Sequence, residues 1–231
     1  EVGRAGVVTL RETNRKTVFF ARRRLPCAAI LDPELSASMP AQIAAATGYD
    51  ALTHCVEALV ATHDHPLSAA IAVGGIKLVA KSLERAVRDG SDLEARGDML
   101  KAAAMGAIAF QKGLGACHSL AHPLSSVCGL HHGLANALCL PEVVRFNLDH
   151  AADDYAEVAR IFTGKSHAAA AVDALAELRA RVRIQAGLAN HGVTAEHLDE
   201  LADEAIADGC HTFNPRKCSR DDLRGLYERC M

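Results

Sequence analysis

Three short stretches of the chain carry one acid and five imidazoles, four of them, with His131 set aside, at spacings that suit a mononuclear metal site. They are Gly48-Tyr49-Asp50-Ala51-Leu52-Thr53-His54, His118-Ser119-Leu120-Ala121-His122 and His131-His132-Gly133. Asp50 and His54 are four apart, which on a helix stacks them on one face; His118 and His122 repeat that relation on a second helix. His132 lies beyond Gly129 and must reach the others from the next element. Imidazole nitrogens with a single carboxylate suit Fe(II), Zn(II) or another late first-row divalent ion, and exclude a calcium-type site built from six or more oxygens. Three His and one Asp leave a coordination position open, as a catalytic metal requires.

Each fragment alone has a plainer reading. An Asp-x-x-x-His or His-x-x-x-His pair is an ordinary neighbour pair on a helix, and His131-His132 could simply open one. Together they read differently, because four of the twelve histidines fall between His118 and His132. Glu57, one turn after His54, could serve as a general base or be a helix-surface acid.

The elements that must position these residues are helical. Aromatics are 4% of 231 residues, Trp is absent and half the chain is apolar, so Ala, Leu, Val and Ile must build close-packed helices. Helices are expected over Ala41 to Ala61, Leu67 to Arg88, Leu93 to Gln111, Cys117 to Cys128 and His132 to Asn147. Four more are expected over Ala151 to Phe162, Ala168 to Ala186, Ala195 to Ala207 and Arg220 to Cys230, the last N-capped by Ser219. Gly and Pro punctuate the boundaries. Before Pro40 the pattern changes. Ala5 to Leu10 and Thr17 to Phe20 read as strands about a turn at Thr13-Asn14-Arg15, with a third at Ala28 to Leu31 stopped by Asp32-Pro33. Three such strands make no stable sheet alone. With no initiator Met before Glu1, they are expected to be the trailing edge of a domain whose main body is missing.

A net charge of -3 argues against nucleic acid as partner, and Arg22-Arg23-Arg24 reads as a solvated turn. The longest apolar run, Ala69 to Gly75, is too short for a bilayer, so no membrane is expected. Eight dispersed cysteines without a Cys-x-x-Cys pair, and no signal peptide, suggest a reduced, cytoplasmic setting.

The stretches Ala45 to Ala58, Gly115 to Leu124 and His131 to Ala137, with Leu140 to Asn147 after them, closely resemble the iron-containing (group III) alcohol dehydrogenases. Ile30-Leu31-Asp32-Pro33-Glu34-Leu35 and Met39-Pro40 look like that family's crossing from nucleotide domain to helical domain. The resemblance covers nearly the whole chain and is strongest from Ala28 to Asn147. It implies that Asp50, His54, His118 and His132 are metal ligands, usually for Fe(II), with Zn(II) or another divalent ion open. It implies that His122 lies beside nicotinamide and substrate and assists proton movement. Lys16 falls on a lysine that touches the cofactor ribose, and equally suits a solvated turn; Met39 falls in the loop lining the cofactor cleft. Two departures are tolerable, Gly3 for a Thr or Ser and Ser125 for a Gly. A third is weightier: the family's Gly-Gly-Gly-Ser and Thr-rich loops, which cradle the cofactor diphosphate, are not in these residues.

The expected fold is therefore mainly α, a helical metal-binding domain of the dehydroquinate synthase-like or iron alcohol dehydrogenase-like kind over 41–231. A short β remnant of an α/β nucleotide-binding domain over 1–40 precedes it. The expected function is NAD- or NADP-dependent oxidation of a small alcohol to an aldehyde or ketone, in a homo-oligomer when full length, with the activity of this shortened form in doubt. Two rivals stand beside it, a stand-alone helical module that binds a divalent ion and a metal-dependent hydrolase.

Overall fold

The computed structural model describes residue 2 and residues 5–11, 15–21, 23 and 25–231. Strands β1 (Ala5–Leu10) and β2 (Arg15–Phe20) pair antiparallel, from Ala5 opposite Phe20 to Leu10 opposite Arg15. The expected turn begins with Thr13 and Asn14, which lie outside the described residues, as do Gly3, Arg22 and Arg24. The third strand does not form. Ala28 to Leu31 runs exposed, Ile30 at 90%, with no neighbouring strand among the described residues to take its backbone N–H and C=O groups. Asp32 then caps a short 3-10 turn, Pro33–Ser36, by accepting the Glu34 N–H at 3.0 Å.

Helices follow to the end of the chain: α1 (Ala41–Val60), α2 (Pro66–Arg88), α3 (Leu93–Ala109), α4 (Ala116–Ser126), α5 (His132–Asn147), α6 (Ala152–Thr163), α7 (Ala170–Arg181), α8 (Leu198–Ala207) and α9 (Arg220–Cys230). Among the described residues no strand follows Phe20. Helix α1 is apolar nearly all round and runs through the middle of the fold, packed by α2, α3 and α5. Its Tyr49, Leu52 and Val56 belong to one continuous core that extends from Ala45 to Cys230.

Helix α2 corrects the apolar-run reading. Its best 18-residue window has a mean hydropathy of 1.3, enough to cross a membrane by length and composition alone. Of that window 39% is buried, with Ala72, Ile76, Val79 and Leu83 fully so, and this face of the helix packs on α1 and α3.

Helix α7 ends five residues before the expected Ala186, without a glycine. Ile184 N–H reaches back to Arg179 C=O at 3.1 Å and Arg183 N–H to Ala180 C=O at 2.9 Å, with Arg183 left-handed at φ 62°. This is a Schellman stop in which Arg replaces the usual Gly, so the sequence gives no warning of it. A different irregularity is compensated in α5. Pro141 has no N–H for the Ala137 carbonyl, and the Arg179 guanidinium donates to it at 3.4 Å and to Leu138 C=O at 3.3 Å. Ser219 caps α9 as expected, in a reciprocal box with Asp222.

Candidate metal centre

Asp50 and His54 project from the middle of α1, His118 and His122 from α4, and His132 from the first residue of α5. Two glycines let these helices come close enough. A Cβ on Gly133 would collide with the Ala46 carbonyl of α1, so only Gly sets His132 down beside Asp50. A Cβ on Gly106 of α3 would meet His54 Cβ at 3.0 Å. Strand β2 passes alongside α4.

The four side chains converge. His132 Nε2 lies 3.6 Å and His118 Nε2 3.8 Å from Asp50 Oδ1, and His54 Nδ1 lies 4.0 Å from Asp50 Oδ2. One donor atom each from Asp50, His54 and His118 fits within 4.8 Å. The His54 and His118 rings stack at 4.6 Å, with Phe110 on the other side of His54 at 5.1 Å. His131 is exposed and caps nothing with its side chain, so His132 is the member of that pair that faces the cluster.

Two residues not singled out as ligands organise the cluster. Glu57 is 3% exposed, which corrects its reading as a surface acid. Its Oε1 accepts the Cys117 N–H at 2.6 Å at the start of α4, and its Oε2 meets His118 Nδ1 at 2.6 Å. Both oxygens are committed, so Glu57 cannot serve as the free base that a hydrolase would need. Burial pushes its carboxyl up to about 7, against the backbone amides of Cys117, Gly115 and His118 and the charge of His54. Burial likewise pushes His118 well below the ordinary imidazole value. One proton is shared between Glu57 Oε2 and His118 Nδ1. With it on Nδ1, Nε2 turns a lone pair toward Asp50. This is the carboxylate–histidine arrangement that orients a metal-ligating imidazole.

Asn136, one turn after His132, is the second. Its amide nitrogen lies 2.6 Å from Asp50 Oδ1, 3.2 Å from His132 Nε2 and 3.4 Å from His118 Nε2. An amide carries two hydrogens, and with Nε2 unprotonated on both imidazoles it faces three acceptors. Burial would raise the Asp50 carboxyl, but His54, His132, His118 and the Asn136 amide hold it below its ordinary value. The cluster is thus rich in lone pairs and short of hydrogens. A divalent cation fits this donor set of one carboxylate and three imidazoles.

His122 is placed differently. Its ring stacks on His132 at 5.2 Å, and its Nδ1 meets Asp208 Oδ2 at 2.8 Å. Asp208 follows α8 and stands 86 residues away in sequence, so no local spacing pointed to it. Lys16 stands in β2 opposite Thr9, and its side chain lies outside the described residues. Met39 is half-buried ahead of α1; its carbonyl accepts from Arg96 at 3.1 Å and its Sδ from Thr47 at 3.8 Å.

Comparison with known proteins gives the family. Residues 44–231 match the Fe-containing alcohol dehydrogenase family, C-terminal. The chain is 39% identical to a 4-hydroxybutyrate dehydrogenase of Cupriavidus necator and 37% identical to a 1,3-propanediol dehydrogenase of Klebsiella pneumoniae, in each case over all of this chain and 62% of the relative. Among solved structures, a 1,3-propanediol oxidoreductase superposes with a TM-score of 0.94 at 35% identity, over 99% of this chain and 62% of its own. A sulfoacetaldehyde reductase from Bifidobacterium kashiwanohense, solved with NAD+, superposes with a TM-score of 0.91 at 30% identity, over 100% of this chain and 61% of its own. The chain thus spans less than two thirds of the length of these relatives, and it belongs to the Fe-containing alcohol dehydrogenase family, whose C-terminal part it matches.

Proposed function

We propose that these residues form the metal-binding half of an NAD- or NADP-dependent alcohol dehydrogenase, with Asp50, His54, His118 and His132 as ligands of one divalent ion, Fe(II) before Zn(II). The observation that carries this reading is the lone-pair-rich cluster itself, three imidazoles about one carboxylate with a single amide to serve them. When bound, the ion supplies a Lewis acid for the substrate oxygen and the nicotinamide supplies the hydride acceptor. The chain's own residues do the rest. Glu57 holds His118 in place from behind, Asn136 braces Asp50, and Phe110 closes the far side of His54. His122, stacked on His132 but tied to Asp208, takes the proton that leaves the alcohol oxygen.

The substrate class is a short alcohol, in keeping with the 4-hydroxybutyrate and 1,3-propanediol dehydrogenases that the chain resembles. In this reading 41–231 form the catalytic helical domain and 1–40 belong with a nucleotide-binding part. Lys16 and Met39 then lie on the cofactor side of the cleft. The protein acts in the cytoplasm as a homo-oligomer, with neither nucleic acid nor membrane as partner. A module that only binds a metal would share the same ligands but show no turnover in any setting.

Two measurements test the reading. The 231-residue chain should bind one Fe(II) or Zn(II), with metal–nitrogen distances of about 2.0–2.3 Å by X-ray absorption. His118→Ala should abolish that binding and His131→Ala should leave it intact; the reverse result would move the ligand set. For turnover, the chain is fused behind the part of the Klebsiella pneumoniae relative that it leaves uncovered. Metal-dependent reduction of NAD or NADP by short alcohols is then expected in the chimera, and little or none in the 231 residues alone. The reason is that hydride donor and acceptor must be held about 3–3.5 Å apart, and the sequence carries no diphosphate-cradling loop to do so. A metal-loaded chimera without activity on any alcohol would favour the binding module.

A further inference from the structure

His122 reaches no carboxylate on its own helix or on α1. Among the described residues its one hydrogen-bond partner is Asp208, the cap that follows α8, at 2.8 Å between Nδ1 and Oδ2. The other Asp208 oxygen is fixed just as firmly. Oδ1 accepts the Ser119 hydroxyl at 2.8 Å and the Cys210 N–H at 2.8 Å, and Ser119 Oγ in turn accepts the His211 N–H at 2.8 Å. Ser119 precedes His122 by nearly one turn of α4, so a single carboxylate clamps two side chains of that helix to the turn after α8. Burial would raise the Asp208 carboxyl, yet the His122 bond first and these donors after it hold it below the usual carboxylate range. An ionised carboxylate only accepts hydrogen bonds, so the proton of this contact resides on His122 Nδ1. The Nε2 atom has no hydrogen-bond partner among the described residues, and the side chain keeps 10% of its surface open.

We propose that Asp208 is a positioning residue for His122. By accepting from Nδ1 it fixes the ring in one tautomer and one orientation, with Nε2 as the acceptor presented toward the substrate side. The inference rests on the dehydrogenase reading for the use made of Nε2, but not for the tautomer. In that use, the alcohol O–H bond would break and an N–H bond form at Nε2. The O–H electron pair would become the second C–O bond of the carbonyl as the carbon gives up its hydrogen, with its electron pair, to the hydride acceptor that a bound nicotinamide would supply. Asp208 stays ionised throughout and stabilises the imidazolium without taking its proton, the role a buried carboxylate plays behind a catalytic imidazole. His122, Asp208 and Cys210 also lie close enough to hold an ion between them. Their mutual hydrogen bonds argue against it, since an ion there would have to displace the His122 proton.

The test uses long-range 1H–15N spectra of histidine-labelled, Zn(II)-loaded 231-residue protein, with the His122 signals assigned by their loss in His122→Gln. The expected result is a single Nδ1–H tautomer. In Asp208→Asn the amide can donate to Nδ1, so the pattern should shift to Nε2–H or to a mixture. Asp208→Glu should restore at least part of the original signal, and Ser119→Ala should broaden it. Zinc should stay at one per chain in all five proteins. An Nε2–H tautomer or an averaged signal in the wild type would overturn the proposal, as would an unchanged pattern in Asp208→Asn. So would two zinc ions in the wild type falling to one in Asp208→Asn, which would make the cluster a metal site. A held tautomer in a chimera that oxidises no alcohol would support the positioning and sink the dehydrogenase reading, which keeps the two failures apart.

Discussion

Two polar clusters flank α4, and they balance their hydrogen bonds in opposite ways. Around Asp208 every acceptor has its donor: the Ser119 hydroxyl, the Cys210 amide and the His122 ring. Around Asp50 three acceptors crowd one amide group. The contrast matters because lone pairs crowded together in a half-buried site are costly unless a hydrogen, a cation or water lies between them. The first cluster is complete without a ligand and can serve to orient a side chain. The second is completed by a cation. Clusters of similar composition thus point to different chemistry, and counting hydrogens against lone pairs separates them where counting His and Asp does not.

The largest expected effect comes from withdrawing the metal. At a free metal concentration of about a hundred times Kd, binding to the folded state alone stabilises by about 2.7 kcal/mol, or roughly 5–10 °C in Tm for a chain of this size. A chelator should therefore lower the Tm of the wild type by that order and leave His118→Ala unmoved. An equal fall in both would mean that the lone-pair count misjudged the site. Next in size is Glu57→Gln. An amide at this position can still accept the Cys117 N–H, but it no longer offers His118 a carboxylate. Metal affinity should fall by about 10- to 100-fold with stoichiometry preserved. Isothermal titration reads this directly, and unchanged affinity would reduce Glu57 to a tie between α1 and α4.

How far the sequence foretold these clusters follows the range of the interactions. Asp50 with His54 and His118 with His122 announce themselves because i,i+4 pairs share a helix face, and the helices that carry them begin and end close to where Gly, Pro and apolar spacing put them. The choice of His132 over His131 came only through resemblance, whereas the structure gives a cause: Gly133 must face Ala46 for α5 to approach α1. Glu57 was visible, but its burial depends on the first turn of α4 packing against α1, which spacing on α1 does not encode. Asp208 was invisible because its partner is 86 residues away. The strand expected at Ala28 to Leu31 failed for a related reason. Apolar spacing shows that a segment can pair, not that a neighbour is present to pair with it.

Smaller in effect is Gly133→Ala. A methyl group there must push α5 off the Ala46 carbonyl, at a cost of about 1–3 kcal/mol for overpacking, and His132 moves with it. Thermal unfolding should show the loss of stability and titration a weaker metal site. Full affinity alongside lost stability would mean that the helices can part without disturbing the cluster.

The gentlest test uses a carboxylate that resembles neither extreme. Asp98 on α3 is 5% exposed, and its Oδ2 accepts from Ser82 at 2.8 Å and from Lys81 at 2.9 Å. It is more buried than Asp50, whose side chain keeps 21% of its surface open, and it is supplied with donors like Asp208, but no imidazole is bonded to it. Burial would raise its carboxyl, and the Lys81 and Ser82 bonds together with the charges of Lys81 and Lys101 leave it below its ordinary value. The sign follows from that depression. In the unfolded chain the group protonates near pH 4, in the folded chain only lower. Its contribution to stability is therefore present above about pH 4 and is lost as pH falls through the folded-state value. Asp98→Asn should cost about 1–3 kcal/mol at neutral pH, and the difference from wild type should shrink in acid. Metal affinity should not change, because a carboxylate that already has its donors has nothing to offer a cation. A variant that lost metal along with stability would show that the Asp50 cluster depends on the global packing of α2 and α3. The hydrogen-to-lone-pair count would then no longer suffice to set the two clusters apart.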